Sequence, residues 1–176
     1  MGKIKFPKPI KFFVGLITNN NSLIEKTRKL LIRKFGQVDC ESRLFDFSFT
    51  RYYNDEMGEN LKRKFLAFEK PVSLENIGST KILTNRLEEK FSLKGKRKIN
   101  IDPGYISLSA LVLLTTKEYY HRLYLGKGIY AEVTLYYKDK FFRPFEWTYP
   151  DYRSREYLDF FNVVREKHFL QSKNRC

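Results

Sequence analysis

The residues best suited to chemistry cluster in the second half of the chain. Asp102 stands at the end of an apolar run, directly before Pro103-Gly104, where a strand would give way to a tight turn. His121 can carry a proton near neutral pH, and Glu132 can accept one. Together, Asp102, His121 and Glu132 form a candidate catalytic set for general acid–base work on an anionic metabolite. Lys117, Arg122 and Arg153 are candidate anion clamps, Asp151 a loop carboxylate beside them, and Tyr124 and Tyr130 candidate stacking surfaces for a base. Each also has a plainer reading. His121 can be a hydrogen-bonded structural histidine, Asp102 a turn cap, Asp151 a helix cap, and Arg122 with Glu132 an ordinary cross-strand ion pair.

Several chemistries lack their residues. No string places two glycines before Lys and Ser or Thr as a P-loop requires; Gly95-Lys96 and Gly126-Lys127-Gly128 are only fragments of one. Cys40, His121, His168 and Cys176 offer no close ligand pair for zinc, so neither metal nor cofactor is expected. A two-histidine phosphoesterase needs a histidine on each of two core strands, and His168 falls in the last helix. Lys64, Phe65, Ala67 and Phe68 echo the aromatic motif of RNA-recognition modules only faintly, without its spacing or glycine.

The elements that must hold these residues follow from periodicity. Lys11 to Thr18 is a short apolar run between Pro9 and three asparagines, a buried strand. Ser22 and Glu25 suggest a capping box for a helix that Gly36 stops, its stripe drawn from Leu23, Ile24, Thr27, Leu30, Leu31 and Phe35. Arg43 to Thr50 alternates, with Phe45, Phe47 and Phe49 on one face, and Lys64 to Glu69 is strand-like. Ser73 opens a second helix to about Phe91; Lys98 to Asp102 is a strand ending at Pro103-Gly104. The order strand, helix, strand, strand, helix, strand predicts an α+β fold with a ferredoxin-like βαββαβ core. Ile106 to Thr116 is read as a short helix. His121 to Leu125 and Ile129 to Tyr137 form a β-hairpin around Gly126-Lys127-Gly128, and Ser154 to Leu170 a closing helix.

With a three-residue loop, residue 125 faces 129, Leu123 faces Ala131 and Arg122 faces Glu132. One face would then carry His121, Leu123, Leu125, Ile129, Ala131, Val133 and Leu135. The other would carry Tyr120, Arg122, Tyr124, Tyr130, Glu132, Thr134 and Tyr136, a surface on which a base could stack beside an anchored arginine.

The 176 residues fit one domain, 1–176, with a core that needs no staples. The net charge of +14 is held at the two ends, with 9 basic residues against 1 acidic in 1–36, 9 against 10 in 37–93 and 16 against 9 in 94–176. Lys94, Lys96, Arg97 and Lys98 are the densest cluster. Such a field attracts phosphates, and equally serves solubility. No apolar stretch is long enough for a membrane span, no export signal is visible, and two cysteines give no disulfide framework, so a reducing cytoplasm is expected.

Longer strings carry a resemblance. Asn100-Ile101-Asp102-Pro103-Gly104-Tyr105, Thr115-Thr116-Lys117, His121-Arg122, Tyr124-Leu125-Gly126, Gly128 through Leu135 and Trp147 through Ser154 resemble the bacterial domain of unknown function 4416. Upstream, Phe49-Thr50, Tyr52-Tyr53, Glu56-Met57-Gly58, Leu61-Lys62-Arg63 and Phe68-Glu69 extend the likeness over nearly the whole chain. The resemblance implies a small soluble bacterial protein of uncharacterised role, sometimes labelled GTP-binding, and supplies no catalytic residues. The expectation from charge, aromatics and hairpin register is a protein that binds a phosphate-bearing ligand, nucleotide or RNA, without a P-loop. A small enzyme acting on an anionic metabolite and a structural adaptor are the alternatives.

Overall fold

The computed structural model describes residues 2–173; Cys176 lies outside them. Its centre is strand β1 (Lys11–Thr18), whose eight residues are all buried because neighbours cover both edges and both faces. Phe12, Val14 and Leu16 point to one side, Phe13 and Ile17 to the other. Helix α1 (Asn21–Phe35) follows and lays Leu23, Ile24 and Leu31 on the first side. Its cap is Asn20, whose Oδ1 accepts from the Leu23 amide at 3.2 Å. The helix begins two residues earlier than the expected Ser22–Glu25 box implies, with Asn20 as its cap and Ser22 inside the first turn.

Strand β2 (Val38–Glu41) precedes the continuous strand expected over residues 43–50, of which only the two-residue β3 (Phe45–Asp46) forms. Phe45 and Phe47 are buried, but Phe49 is exposed, so the alternation decays into a loop. That loop carries a one-turn helix, α2 (Asn54–Met57), before β4 (Lys62–Phe68). Helix α3 (Ser79–Lys90) starts later than Ser73, whose hydroxyl instead accepts from the Glu75 amide.

Strand β5 (Asn100–Ile106) runs straight through Pro103-Gly104 rather than turning there. Gly104 is required by crowding: a Cβ would sit 2.7 Å from Phe13 Cζ and from the Val112 carbonyl oxygen. Residues 110–115 form strand β6 (Ala110–Thr115), not a helix. Their continuous apolar run reflects burial on both faces, which hides strand alternation. The hairpin is present as β7 (Arg122–Gly126) and β8 (Ile129–Lys138), with Arg122 opposite Glu132 and Leu123 opposite Ala131 as expected. The turn is tighter, however, pairing Gly126 with Ile129 and leaving a bulge after Tyr124. A second bulge, where β8 meets β6, moves Leu135 to the opposite side of the sheet from Ile129, Ala131 and Val133. Leu123 and Leu125, assigned to an apolar inner face, are exposed.

Strand β9 (Phe141–Pro144) pairs with β8, and a 3₁₀ turn (Asp151–Arg153) leads into helix α4 (Arg155–Lys173). The result is an α+β architecture: a nine-stranded sheet in the order β2-β4-β1-β5-β6-β8-β7, with β3 on β4 and β9 on β8, every pairing antiparallel. Helices α1 and α3 pack on one face. Helix α4 covers the other through Tyr157, Leu158, Phe161 and Val164, with the Phe161 ring 5.0 Å from Phe13 and 4.8 Å from Phe65.

Candidate functional site

The sheet splits between β5 and β6. Strand β5 pairs with β1 as far back as Asn100, but with β6 only from Gly104 onward. Pro103 has no N–H to extend a ladder, and the β6 pairing begins one residue after it. Helix α3 takes the place of the missing partner: Glu88 Oε1 accepts from the Ile101 amide at 2.6 Å, and Lys81 Nζ donates to the Ile101 carbonyl at 3.3 Å. The inward face of α3 is therefore polar, with Lys81, Thr84 and Glu88 buried.

A cleft of about 700 Å³ opens at this split. Asp102 lies in its floor, its side chain 27% exposed. Asp102 Oδ2 accepts from Asn100 Nδ2 at 2.6 Å and lies 3.5 Å from Arg63 Nη1; Oδ1 is 3.4 Å from Lys81 Nζ. Burial opposes its ionisation, but Lys81 and Arg63 beside it and the Asn100 hydrogen bond hold its carboxyl below the usual range. Arg63 is buried and joins Asp102 to Asp151, donating to Asp151 Oδ2 at 3.0 Å. Burial pushes Asp151 up despite that contact, and burial also raises Glu88 against the pull of Lys81. The walls are aromatic: Phe47, Phe49, Tyr52 and Tyr53 from the loop after β3, Tyr149 and Tyr152 from the segment before α4. Burial, then the nearby Glu132, pushes Tyr149 to about 12.

Four residues expected from the sequence meet at this cleft: Asp102, Lys117, Glu132 and Asp151. Lys117 extends over the Tyr52 ring, 4.5 Å from its centroid, and its Nζ is 3.4 Å from the Tyr52 hydroxyl. Glu132 is buried against Arg122, whose Nε donates to it at 2.8 Å. The other Arg122 nitrogens donate to the Lys117 carbonyl at 2.9 Å and the Tyr149 hydroxyl at 2.7 Å, so Arg122 braces the wall from behind. His121 lies 3.1 Å from Glu132 and stacks on Trp147, outside the lining. Tyr124 and Tyr130 pack on each other at 5.1 Å, away from the cleft. Arg153 pins the preceding loop by donating to the Thr148 and Glu146 carbonyls.

A family model described as Domain of unknown function (DUF4416) matches residues 8–168, a span that contains every residue lining the cleft. The chain belongs to the DUF4416 family. No curated protein and no solved structure matches it. The cleft also includes residues that the sequence did not mark as candidates for a site: Arg63, Lys81, Glu88 and the loop aromatics, and Arg97, which it marked only as part of a basic cluster. Lys81, Thr84 and Glu88 recur at helical spacing, a polar stripe that a search for apolar stripes overlooks. Arg97, from the basic cluster before β5, donates to Glu56 and Glu88 and fixes the α2 loop against the cleft rim.

Proposed function

We propose that this cleft binds a small phosphate-bearing ligand of about nucleotide size, without a P-loop. The observation that carries the reading is Lys117. Of the cations that line the cleft, Arg63, Lys81 and Arg97 are engaged by carboxylates, whereas the Lys117 ammonium is held only by the ring and hydroxyl of Tyr52 among the described residues. An ammonium so held can exchange a phenol for a phosphate, with aromatic side chains beside it to receive a flat ring. A volume of about 700 Å³ falls within the range of small-molecule sites. The strand order β2-β4-β1-β5 with α1 and α3 on one face supports reading this half of the sheet as a ferredoxin-like core, extended by the hairpin and α4.

A second reading rests on Asp102, a carboxylate that lines the same space beside Lys81: a small enzyme acting on an anionic metabolite, with Asp102 in its catalytic set. Both readings place the ligand in one cleft.

Thermal unfolding in the presence of nucleotides, sugar phosphates and short RNAs, at low and moderate salt, tests the binding reading. A small phosphate ligand should raise Tm by several degrees in the wild type and not in Lys117→Ala. Shifts only with RNA, abolished by salt and indifferent to Lys117→Ala, would contradict it.

A further inference from the structure

We infer that the cleft selects a hydroxyl-bearing phosphate monoester and rejects di- and triphosphates. The inference rests on the phosphate reading above and deepens it. Five carboxylates line the space, Glu88, Glu89, Asp102, Glu132 and Asp151, against four cations. Three of those cations are already committed: Arg63 lies between Asp102 and Asp151, Lys81 on Asp102, and Arg97 on Glu56 and Glu88. Arg122, behind the wall, is committed to Glu132. One ammonium, Lys117, remains for the ligand. A monoester phosphate brings the least charge a phosphate ester of this kind can carry and sets one compact group against that ammonium. Each further phosphate would have to lie against carboxylates with no cation to receive it, a like-charge contact that disfavours binding.

The floor asks for the opposite chemistry. Asp102 is a partly exposed acceptor in the lining, and its Oδ1 has only the 3.4 Å contact with Lys81, which leaves acceptor capacity for a ligand. Glu132 and Glu88 line the same space, but Arg122 and Thr134 engage the first and Arg97 and the Ile101 amide the second. A ligand reaching the floor must donate, and the hydroxyl groups of a ribose or another sugar do so. A nucleoside 5′-monophosphate and a sugar phosphate share this chemistry; the aromatic walls distinguish them, because only the former has a base to stack.

Titration calorimetry on the full chain tests the inference with adenosine and guanosine 5′-monophosphates, the corresponding triphosphates, ribose 5-phosphate and a 2′,3′-dideoxynucleoside 5′-monophosphate. The monophosphates should bind at least tenfold more tightly than the triphosphates, and Lys117→Ala should lose that binding. Removing the hydroxyls should weaken binding to the wild type about tenfold or more, and Asp102→Ala, which removes the acceptor, should erase the difference between the hydroxylated and dideoxy ligands. The wild-type comparison stands even if Asp102→Ala fails to fold. Ribose 5-phosphate binding as tightly as the nucleotides supports the inference and assigns the ligand to sugar phosphates. Triphosphates binding equally or better, still dependent on Lys117, would overturn the selectivity while leaving the phosphate reading intact. Failure of every phosphate ligand to bind would overturn both.

Discussion

Arg63 illustrates how closely structure and site are joined at the level of single residues. It enters from a strand otherwise given to the core, lies over Gly15, and divides its guanidinium between Asp102 and Asp151. Replacing it with methionine leaves Asp151 without its cation in a buried setting and Asp102 with Lys81 alone, and breaking such a pair costs about 3–5 kcal/mol. Urea unfolding of Arg63→Met should show a loss of that order. Glu88 provides a pH test. Burial raises its carboxyl above the unfolded value, so the native chain takes up this proton first as pH falls, and the group's cost to stability is relieved below the raised value. Asp102, lowered, runs the other way: its contribution is present above the ordinary carboxylate value and lost as pH falls through the depressed one. The stability of Glu88→Gln relative to wild type should therefore fall as pH is lowered from 7 toward 4; a relative gain would contradict the assignment. Lys117 and Asp151 were legible because each sits outside the strands and long helices, where a charged residue stands out; Asp102 because it precedes Pro103-Gly104, and Glu132 because the hairpin register sets it opposite Arg122. Arg63 and Lys81 were not, because Arg63 falls just before the strand expected from Lys64 and Lys81 sits among the polar residues of an expected helix.

At the scale of elements, the site exists because one strand pairing stops early. Helix α3 inserts Glu88 and Lys81 where β6 would have continued, and the opening between β5 and β6 becomes the cleft. Gly104 marks the place where pairing resumes, and Gly104→Ala should cost about 1–3 kcal/mol, because Phe13 and the Val112 carbonyl must give way. Asn20→Ala should cost about 1 kcal/mol through the lost cap, while Ser22→Ala should change little. Thermal melts of both variants would separate the true cap from the expected one. Helix α1 was legible from its apolar stripe, the hairpin from alternation around Gly126-Lys127-Gly128, and β1, an unbroken apolar run, from the Pro9 and asparagines that bound it. Strand β6 was not, since it too is buried on both faces and lacks alternation but has no such bounds, and β5 extends past its expected end because the sheet overrides the turn signal of Pro103-Gly104.

Across the whole molecule, charge and site part company. The net charge of +14 comes from both ends of the chain, whereas the cleft itself is balanced to slightly acidic. The bulk excess therefore says little about what enters the cleft, and ligand affinity carried by one lysine should depend only weakly on salt. Among the described residues, no helix is long and apolar enough to cross a membrane. The most direct test of the account is a titration of isotope-labelled protein with a nucleoside 5′-monophosphate, followed by amide chemical shifts. Binding at the split predicts that perturbed amides fall in residues 47–53, 100–102, 113–117 and 149–152. Perturbations confined instead to α1 and the basic ends of the chain, with those four segments unmoved, would contradict it.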